Sequence, residues 1–254
     1  GGWGNAVVLT AMALASGDAA AAIPTSTATV TAATTPTMRI NEVLAANTRI
    51  PIASTFPDLI ELFNAGPAAA DLGGRSLTDD PALPRKYVFP AGTSIPAGGY
   101  LIVYADTATT LPGLHTGFAL DAEGDRVRLH DSTANGGTLL DSIAFGFQIP
   151  DQSLSRTGVD ANIWALTAPS FGATNGSALA LGSPAALKLN EWAGKIVFRL
   201  DHDLIELFNP SASPVALGGV RLTDDVARPD RFVIPLLSFI DAGGFLPLYG
   251  ADFV

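Results

Sequence analysis

The stretch DLIELFN occurs twice in this chain, at residues 58–64 and again at residues 203–209. Three further pairs keep the same spacing of 145 residues that separates 58 from 203: LGG at 72–74 and 217–219, LTDD at 77–80 and 222–225, and AGG at 97–99 and 242–244. A period of this length corresponds to a whole domain and not to a short solenoid repeat. The sequence therefore predicts two tandem domains.

Composition and turn signals indicate an all-β protein. The chain contains 26 Gly and 18 Pro, and 48% of its residues are hydrophobic. Short apolar or alternating runs, such as residues 100–104 and 126–130, are separated by turn signals such as Asn135-Gly136-Gly137. No ten-residue stretch shows a convincing helical period. Regular short strands without helices predict a β-sandwich.

Charge and cysteine content exclude several classes of function. The formal net charge is −10, which disfavours nonspecific contact with nucleic acid or anionic membranes because phosphate contact needs clustered Lys and Arg. The chain has no cysteine, so disulfides and thiolate chemistry are excluded. No apolar run approaches the roughly 20 residues of a membrane-spanning helix. We therefore expect neither a nucleic-acid partner nor a membrane span.

The repeat divides the chain into four segments. Residues 1–37 form an N-terminal segment and Thr/Ala-rich linker, whose apolar run at 6–15 is either the end of a preceding domain or a signal-like run. Residues 38–176 are the first domain, and residues 177–186 are a linker. Residues 187–254 are a second domain that matches only the first half of the first domain. We predict that this second domain is truncated and leaves apolar faces and strand edges open.

Several motifs taken together resemble the lamin tail domain family in its bacterial form. They are INEV at 40–43, DLIELFN at 58–64, DLGG at 71–74, LTDD at 77–80, FPAG at 89–92, IPAGGY at 95–100, LHTGF at 114–118 and DSIAFG at 141–146. The resemblance covers residues 38–175 completely and residues 187–254 as a first half. It implies an immunoglobulin-like β-sandwich, in one complete domain plus the first half of a second copy.

The resemblance also implies a type of function. It points to a non-catalytic binding or spacer module of a larger secreted or cell-surface bacterial protein, located extracellularly or on the cell surface. Its partners would be other domains of the parent protein and a protein or glycan ligand, and no cofactor is expected. The alternative is a pair of accessory domains of a secreted hydrolase, of nuclease, phosphatase or glycosidase type, whose catalytic domain lies outside this chain.

Two glutamates occupy the same place in the two copies of the repeat. Strand alternation puts Glu61 beside Phe63 on one face, and Glu206 beside Phe208 on the equivalent face. One interpretation is a ligand-contacting carboxylate on an exposed contact face made by these four residues. The other is a carboxylate paired with Arg or backbone N–H groups under a covering loop. The second is favoured because buried charges are normally paired.

Other polar residues give weaker signals, and no catalytic, cofactor-binding or metal site is predicted. The pairs Asp79-Asp80 and Asp224-Asp225 are weak calcium candidates, but two carboxylates fall short of the six to eight oxygens that calcium prefers, so turn capping is favoured. The histidines are scattered, at His115, His130 and His202. Trp164 is predicted to be a core anchor. Pro247 stands where Ile102 lies in a buried strand of the first copy, and proline belongs on edges or at bulges, so either this strand differs in the second copy or the copy is degenerate.

Overall fold

The chain forms two compact units of β-structure. The computed structural model describes residues 8–10, 37–158, 161–194 and 203–249. One unit comprises the described residues between 28 and 179, and the other comprises Val8–Thr10 together with the described residues from 180 onward. In these ranges the only helical segments are two 3₁₀ turns of three residues, Thr133–Asn135 and Pro184–Ala186.

Two antiparallel sheets build the first unit, with strands numbered in chain order. The larger sheet has the order β12–β11–β2–β3–β8, formed by β2 (Met38–Leu44), β3 (Asp58–Asn64), β8 (Tyr100–Ala105), β11 (Ser153–Thr157) and β12 (Ile163–Thr167). The smaller sheet has the order β10–β9–β5–β6, formed by β5 (Ser76–Thr78), β6 (Tyr87–Val88), β9 (Asp125–His130) and β10 (Leu139–Phe145). A short pair joins β4 (Ala70–Asp71) to β7 (Ser94–Ile95).

The core of the first unit lies between these sheets. Ile60 and Leu62 of β3 are fully buried, and so are Val127 and Leu129 of β9. Each pair is separated by one residue, so each lies on a single face of its strand, as the alternation of the sequence predicted. The predicted fold class is confirmed: the unit is all-β, an immunoglobulin-like β-sandwich.

An ion pair joins the two sheets inside this core. Arg156 of β11 donates from Nη2 to both carboxylate oxygens of Asp141 of β10, at 2.7 and 2.8 Å. Arg156 Nε donates to the Ile40 carbonyl at 2.7 Å, and the Ile40 N–H donates to Asp141 Oδ2 at 2.8 Å. The two charged side chains are only 3% and 7% exposed. Pairing and hydrogen bonding offset their desolvation and fix the two sheets relative to each other.

Trp164 is a core residue, as predicted. It is 1% exposed and lies on β12 opposite Arg156 of β11. The Arg156 guanidinium stands over the indole ring at 4.6 Å from the ring centroid, in cation–π geometry. Because the ring is covered on all sides, Trp164 is not available as a sugar-stacking platform.

The second unit repeats pairings seen in the first. Its strands are β13 (Lys188–Ala193), β14 (Leu204–Phe208), β15 (Val215–Ala216), β16 (Arg221–Thr223), β17 (Phe232–Val233), β18 (Phe239–Ile240) and β19 (Phe245–Tyr249). The sheet β13–β14–β19 follows the same pattern as β2–β3–β8. The pairs β15–β18 and β16–β17 likewise follow β4–β7 and β5–β6. The repeated sequence therefore forms repeated strand pairings.

A strand from the N-terminal segment joins the second unit. This strand, β1 (Val8–Thr10), runs antiparallel to β16 and places Leu9 opposite Leu222. In the first unit, β9 runs antiparallel to β5 and places Leu129 opposite Leu77. Since Leu222 and Leu77 are equivalent in the repeat, β1 takes the position beside β16 that β9 takes beside β5. The remainder of the predicted apolar run, the Thr/Ala-rich linker and His202 lie outside the described residues.

Pro247 lies on an edge strand. In the second unit β19 pairs with β14 alone among the described strands, and Pro247 stands opposite Glu206. A proline that has no hydrogen to donate is tolerated there, because the outer side of an edge strand needs no ladder donor. The equivalent strand β8, with Ile102 opposite Glu61, is likewise an edge strand, so the strand keeps its position in the second unit and the proline is accommodated without a change of strand order.

Candidate functional site

Two glutamates face each other across strands β2 and β3 of the first unit. Glu42 pairs with Glu61 in the ladder, and both side chains are fully buried. The register shifts between Ile40 and Glu42, so Asn41 is the extra residue of a β-bulge. From this position Asn41 Nδ2 donates to Glu61 Oε1 at 2.7 Å. The bulge thus supplies a side-chain donor to one of two buried carboxylates.

A segment that follows β12, residues 169–175, covers these carboxylates; we call it the covering segment. Ser170 donates its N–H and its hydroxyl to the two carboxylate oxygens of Glu42, both at 2.8 Å. The Gly172 N–H donates to Glu61 Oε2 at 2.5 Å. Asn175 Nδ2 donates to the carbonyl of Arg156 at 2.8 Å. The six residues Asn41, Glu42, Glu61, Ser170, Gly172 and Asn175 form what we call the carboxylate cluster.

Burial dominates the electrostatics of the carboxylate cluster. Desolvation raises the pKa of Glu61 from its ordinary value of 4.5 to about 7; hydrogen bonds from Gly172 and Asn41 lower it, and the nearby charge of Glu42 raises it. Desolvation also raises the pKa of Glu42, against hydrogen bonds from Ser153 and Ser170 that lower it. The carboxylates are enclosed by protein groups and hold the covering segment onto the sheet.

The predicted contact face has to be corrected for Glu61. Its carboxylate is fully buried and accepts hydrogen bonds from Asn41 Nδ2 and the Gly172 N–H. Glu61 is therefore a paired glutamate under a covering loop, and its donors are a backbone N–H and an Asn side chain instead of an Arg. Phe63 is half-buried, 4.8 Å from the Tyr100 ring and 5.0 Å from the Arg39 guanidinium. Packing by the covering segment removes Glu61 from any exposed surface.

The equivalent residues of the second unit are more open. Glu206 is half-buried and accepts from Asn190 Nδ2 at 2.7 Å, as Glu61 accepts from Asn41. Phe208 is half-buried and stacks on Phe245 at 4.6 Å between ring centroids. Phe245 is itself 56% exposed. Of the four residues predicted for a contact face, those of the second unit lie nearest to an exposed aromatic surface.

The predicted aspartate pairs are used in turns and ion pairs. Lys86 Nζ donates to both oxygens of Asp79 at 2.7 Å, and Asp80 Oδ1 accepts the Ala82 N–H at 2.8 Å. In the second unit Asp224 pairs with Arg231, and Asp225 Oδ1 accepts the Ala227 N–H at 2.9 Å. Across the described ranges, no three His, Cys, Asp or Glu side chains are grouped so that they could hold a metal ion.

An acidic groove in the first unit was not foreseen from the sequence. The open groove has a volume of about 590 Å³, and its walls include Asp58, Asp79, Asp121 and Asp125. The pKa of Asp58 is raised to about 6, chiefly by desolvation; backbone hydrogen bonds oppose this rise and the charges of Asp125 and Asp106 contribute to it. Asp58 accepts the Leu120 N–H at 3.0 Å, so it also anchors the loop before β9.

Each described histidine has its own local partner. His115 Nδ1 lies 2.7 Å from Asp106 Oδ1, and its ring packs on Tyr104 at 5.0 Å between centroids. His130 Nδ1 lies 3.3 Å from the Gly137 carbonyl. Both side chains are buried. These contacts tie loops to strands, which is a structural use for both residues.

Residues 31–146 match the Lamin Tail Domain family model. This range ends after β10, so it includes Asn41, Glu42 and Glu61 and ends before the covering segment. Lamin tail domains are non-catalytic immunoglobulin-like modules, in agreement with the sandwich of the first unit. No curated protein and no solved structure matches the chain. None of the described segments forms a helix long and apolar enough to span a membrane.

Glu61→Gln should flatten the pH profile of stability of the first unit. Because the folded-state pKa of Glu61 is raised from 4.5 to about 7, its contribution is fully present below pH 4.5 and is lost as the pH rises through 7. The shift corresponds to roughly 3 kcal/mol between these limits. We expect the wild type to lose that much more free energy of unfolding than the variant over the window, measured by urea unfolding at successive pH values.

Glu123→Gln is the matched control, since Glu123 is an exposed loop residue. Its profile should follow that of the wild type. Parallel profiles for Glu61→Gln and the wild type would show that Glu61 titrates alike in the folded and unfolded chain, which contradicts the prediction.

Proposed function

We propose that the chain is a non-catalytic binding or spacer module of a larger secreted or cell-surface bacterial protein, and that it mediates protein, glycan or surface contacts. The observation that carries this proposal is the use made of Glu42 and Glu61 within a sandwich that matches the lamin tail domain. Both are fully buried and hydrogen-bonded to the covering segment. This buried acidic pair is therefore engaged in holding the covering segment and is enclosed by protein groups.

The best contact surface in the described chain is the aromatic pair of the second unit. Phe208 and Phe245 lie opposite each other on β14 and β19, and their rings are nearly parallel, with an interplanar angle of 20°. Glu206 lies two residues before Phe208, on the same face of the strand. A flat aromatic surface beside a carboxylate suits a sugar ring, which offers apolar C–H groups on its face and hydroxyl donors at its rim. The same surface suits an apolar protein side chain.

The test has a catalytic arm and a binding arm. The purified chain is expected to give no turnover on ester, phosphodiester and polysaccharide substrates. In the binding arm it is screened on a glycan array and on immobilised polysaccharides. For any ligand that the screen identifies, Phe245→Ser should lower the affinity about tenfold or more, because central aromatic contacts dominate such surfaces. Val226→Ser, at a residue that is 80% exposed on another loop, should leave binding unchanged.

Two outcomes would count against the proposal. Turnover that a single carboxylate substitution abolishes would show that the chain is itself an enzyme. Glycan binding that is equal in the wild type and Phe245→Ser would show that the aromatic pair is not the contact surface. Turnover would not by itself support the accessory-domain alternative, because that alternative places the catalytic domain outside this chain.

A further inference from the structure

Strand β13, the counterpart of β2 in the second unit, has one unpaired edge among the described residues. In the first unit, β2 lies between β3 and β11, with Leu154 of β11 opposite Val43 and Ser155 opposite Glu42. Its counterpart β13 pairs with β14 on one side and with no described strand on the other. An open edge presents unsatisfied N–H and C=O groups that favour the addition of another strand.

Trp192 on this strand occupies a position that is core in the first unit. Trp192 of β13 stands opposite Ile205, and Val43 of β2 stands opposite the equivalent Ile60. Val43 is 1% exposed, because β11 and the second sheet cover it, whereas Trp192 is 63% exposed. Ile205 beside it is 2% exposed, so the sheet has a buried face to which Trp192 belongs. A large aromatic side chain at such a position indicates a missing cover.

The carboxylate cluster is half assembled in the second unit. Glu191 stands opposite Glu206 in the ladder, as Glu42 stands opposite Glu61. Asn190 supplies the side-chain donor to Glu206, at the same 2.7 Å distance as the first-unit pair. Within the described part of the chain, no covering segment supplies the N–H donors that Ser170 and Gly172 give to the first pair. The described residues of the second unit thus contain the two paired glutamates and the Asn donor of the cluster.

The N-terminal strand shows that the second unit accepts strands from a remote part of the chain. β1 lies beside β16, in the register that β9 has beside β5. The place of β9 is thus taken by a segment more than 200 residues away in sequence, since β1 begins at Val8 and β16 begins at Arg221. The place of β11 beside β13 remains open among the described residues.

We propose that the open side of the second unit is a docking site for a β-hairpin and covering segment with the chemistry of residues 153–175. The incoming strand pairs antiparallel with β13, as β11 pairs with β2, and its apolar residues cover Trp192. The following segment donates N–H groups to Glu191 and Glu206. This inference goes beyond the proposed function, because it names a protein partner and places its strand on the open edge of β13; the covering segment shares Glu206 with the face that carries the aromatic pair.

The experiment titrates the full chain with a synthetic peptide of residues 150–176 of this sequence. We expect binding at one peptide per chain in the micromolar range, as a single added hairpin gives a small interface. Hydrogen exchange at the amides of β13 should slow on binding. Trp192→Ala and Glu206→Gln should each weaken binding at least tenfold. Val226→Ala and Glu123→Gln, at exposed residues outside the site, should bind the peptide as the wild type does.

A peptide carrying Leu154→Pro is the second control, because proline at the paired position removes a ladder donor. It should not bind. If the peptide self-associates, it is replaced by a fusion. In this fusion, residues 150–176 are attached after Val254 through a flexible Gly/Ser linker. In that chain, slower exchange at β13 in the wild type but not in Trp192→Ala is the expected result.

Three results would overturn the proposal. The first is a lack of peptide binding together with unchanged exchange at β13 in the linked chain. The second is binding that slows hydrogen exchange at β2 instead of β13, which shows that the peptide replaces its own counterpart in the first unit. The third is self-association of the chain that Trp192→Ala abolishes and the peptide does not compete with, which shows that the occupant is a second copy. Turnover does not depend on any of these results, and glycan binding by Phe245 is measured without the peptide, so the proposed function is tested separately.

Discussion

Arg156→Met should lower the free energy of unfolding of the first unit by about 3–5 kcal/mol, because it leaves the buried Asp141 carboxylate without its partner. Asp141 is held 2.7 Å from Arg156 Nη2, and the same guanidinium also satisfies the Ile40 carbonyl. Methionine fills much of the space and donates no hydrogen bond. The measurement is hydrogen exchange at the β2 and β3 amides, whose opening reports unfolding of this unit.

Arg49→Met is the matched control for the ion pair. Arg49 also pairs with an aspartate, Asp151 at 3.4 Å, but its side chain is 83% exposed. Its removal should cost less than about 1 kcal/mol, since exposed ion pairs contribute little. The double variant Arg156→Met/Asp141→Leu should recover at least half of the loss, because it removes the uncompensated charge. Equal effects of the two Arg→Met changes would contradict the assignment of Arg156 to the core.

Trp164→Ala should cost about 3–5 kcal/mol in the same unit, since it deletes a fully buried indole and leaves a cavity between the sheets. The ring is 1% exposed and lies against the Arg156 guanidinium. Its loss therefore also removes a cation–π contact from the buried ion pair. Hydrogen exchange at β2 and β3 gives the free energy, and circular dichroism confirms that the variant retains its strands.

Trp192→Ala tests the same substitution at an exposed site. Trp192 is 63% exposed, so the chain alone should lose less than about 1 kcal/mol on its removal. The two tryptophans thus separate a stability role from a docking role. Near-wild-type stability in Trp164→Ala would contradict the core assignment, and a large loss in Trp192→Ala would show that this ring is covered in solution.

Together, these contacts show how the first unit holds a charged interior. The Arg156–Asp141 pair lies between the sheets, and the carboxylate cluster lies on the far side of the larger sheet under the covering segment. In both places each buried charge has hydrogen-bond donors or a partner. This arrangement explains how a sandwich without disulfides fixes its two sheets relative to each other, and why Glu42 and Glu61 are structural.

Local patterns determined the secondary structure of the first unit. Alternation predicted the buried faces of β3 and β9, because side chains alternate across any strand whatever surrounds it. The Asn135-Gly136-Gly137 turn signal marked the connection between β9 and β10, where Gly136 and Gly137 have positive φ of 92° and 64°. The repeat predicted that residues 203–249 form strand pairings like those of the first unit, because the same sequence favours the same local backbone conformation.

Only the tertiary structure decided what the polar residues do. Glu61 is covered by Gly172, which lies more than 100 positions away, and no local pattern reports so distant a contact. The acidic groove likewise brings Asp58, the first residue of β3, together with Asp125 from the start of β9 and Asp121 from the loop before it. Charge and burial depend on which remote segments approach, whereas strand formation depends on neighbours in sequence. The repeated glutamates show this difference: the same seven-residue stretch carries a fully buried carboxylate, Glu61, in the first unit and a half-buried one, Glu206, in the second.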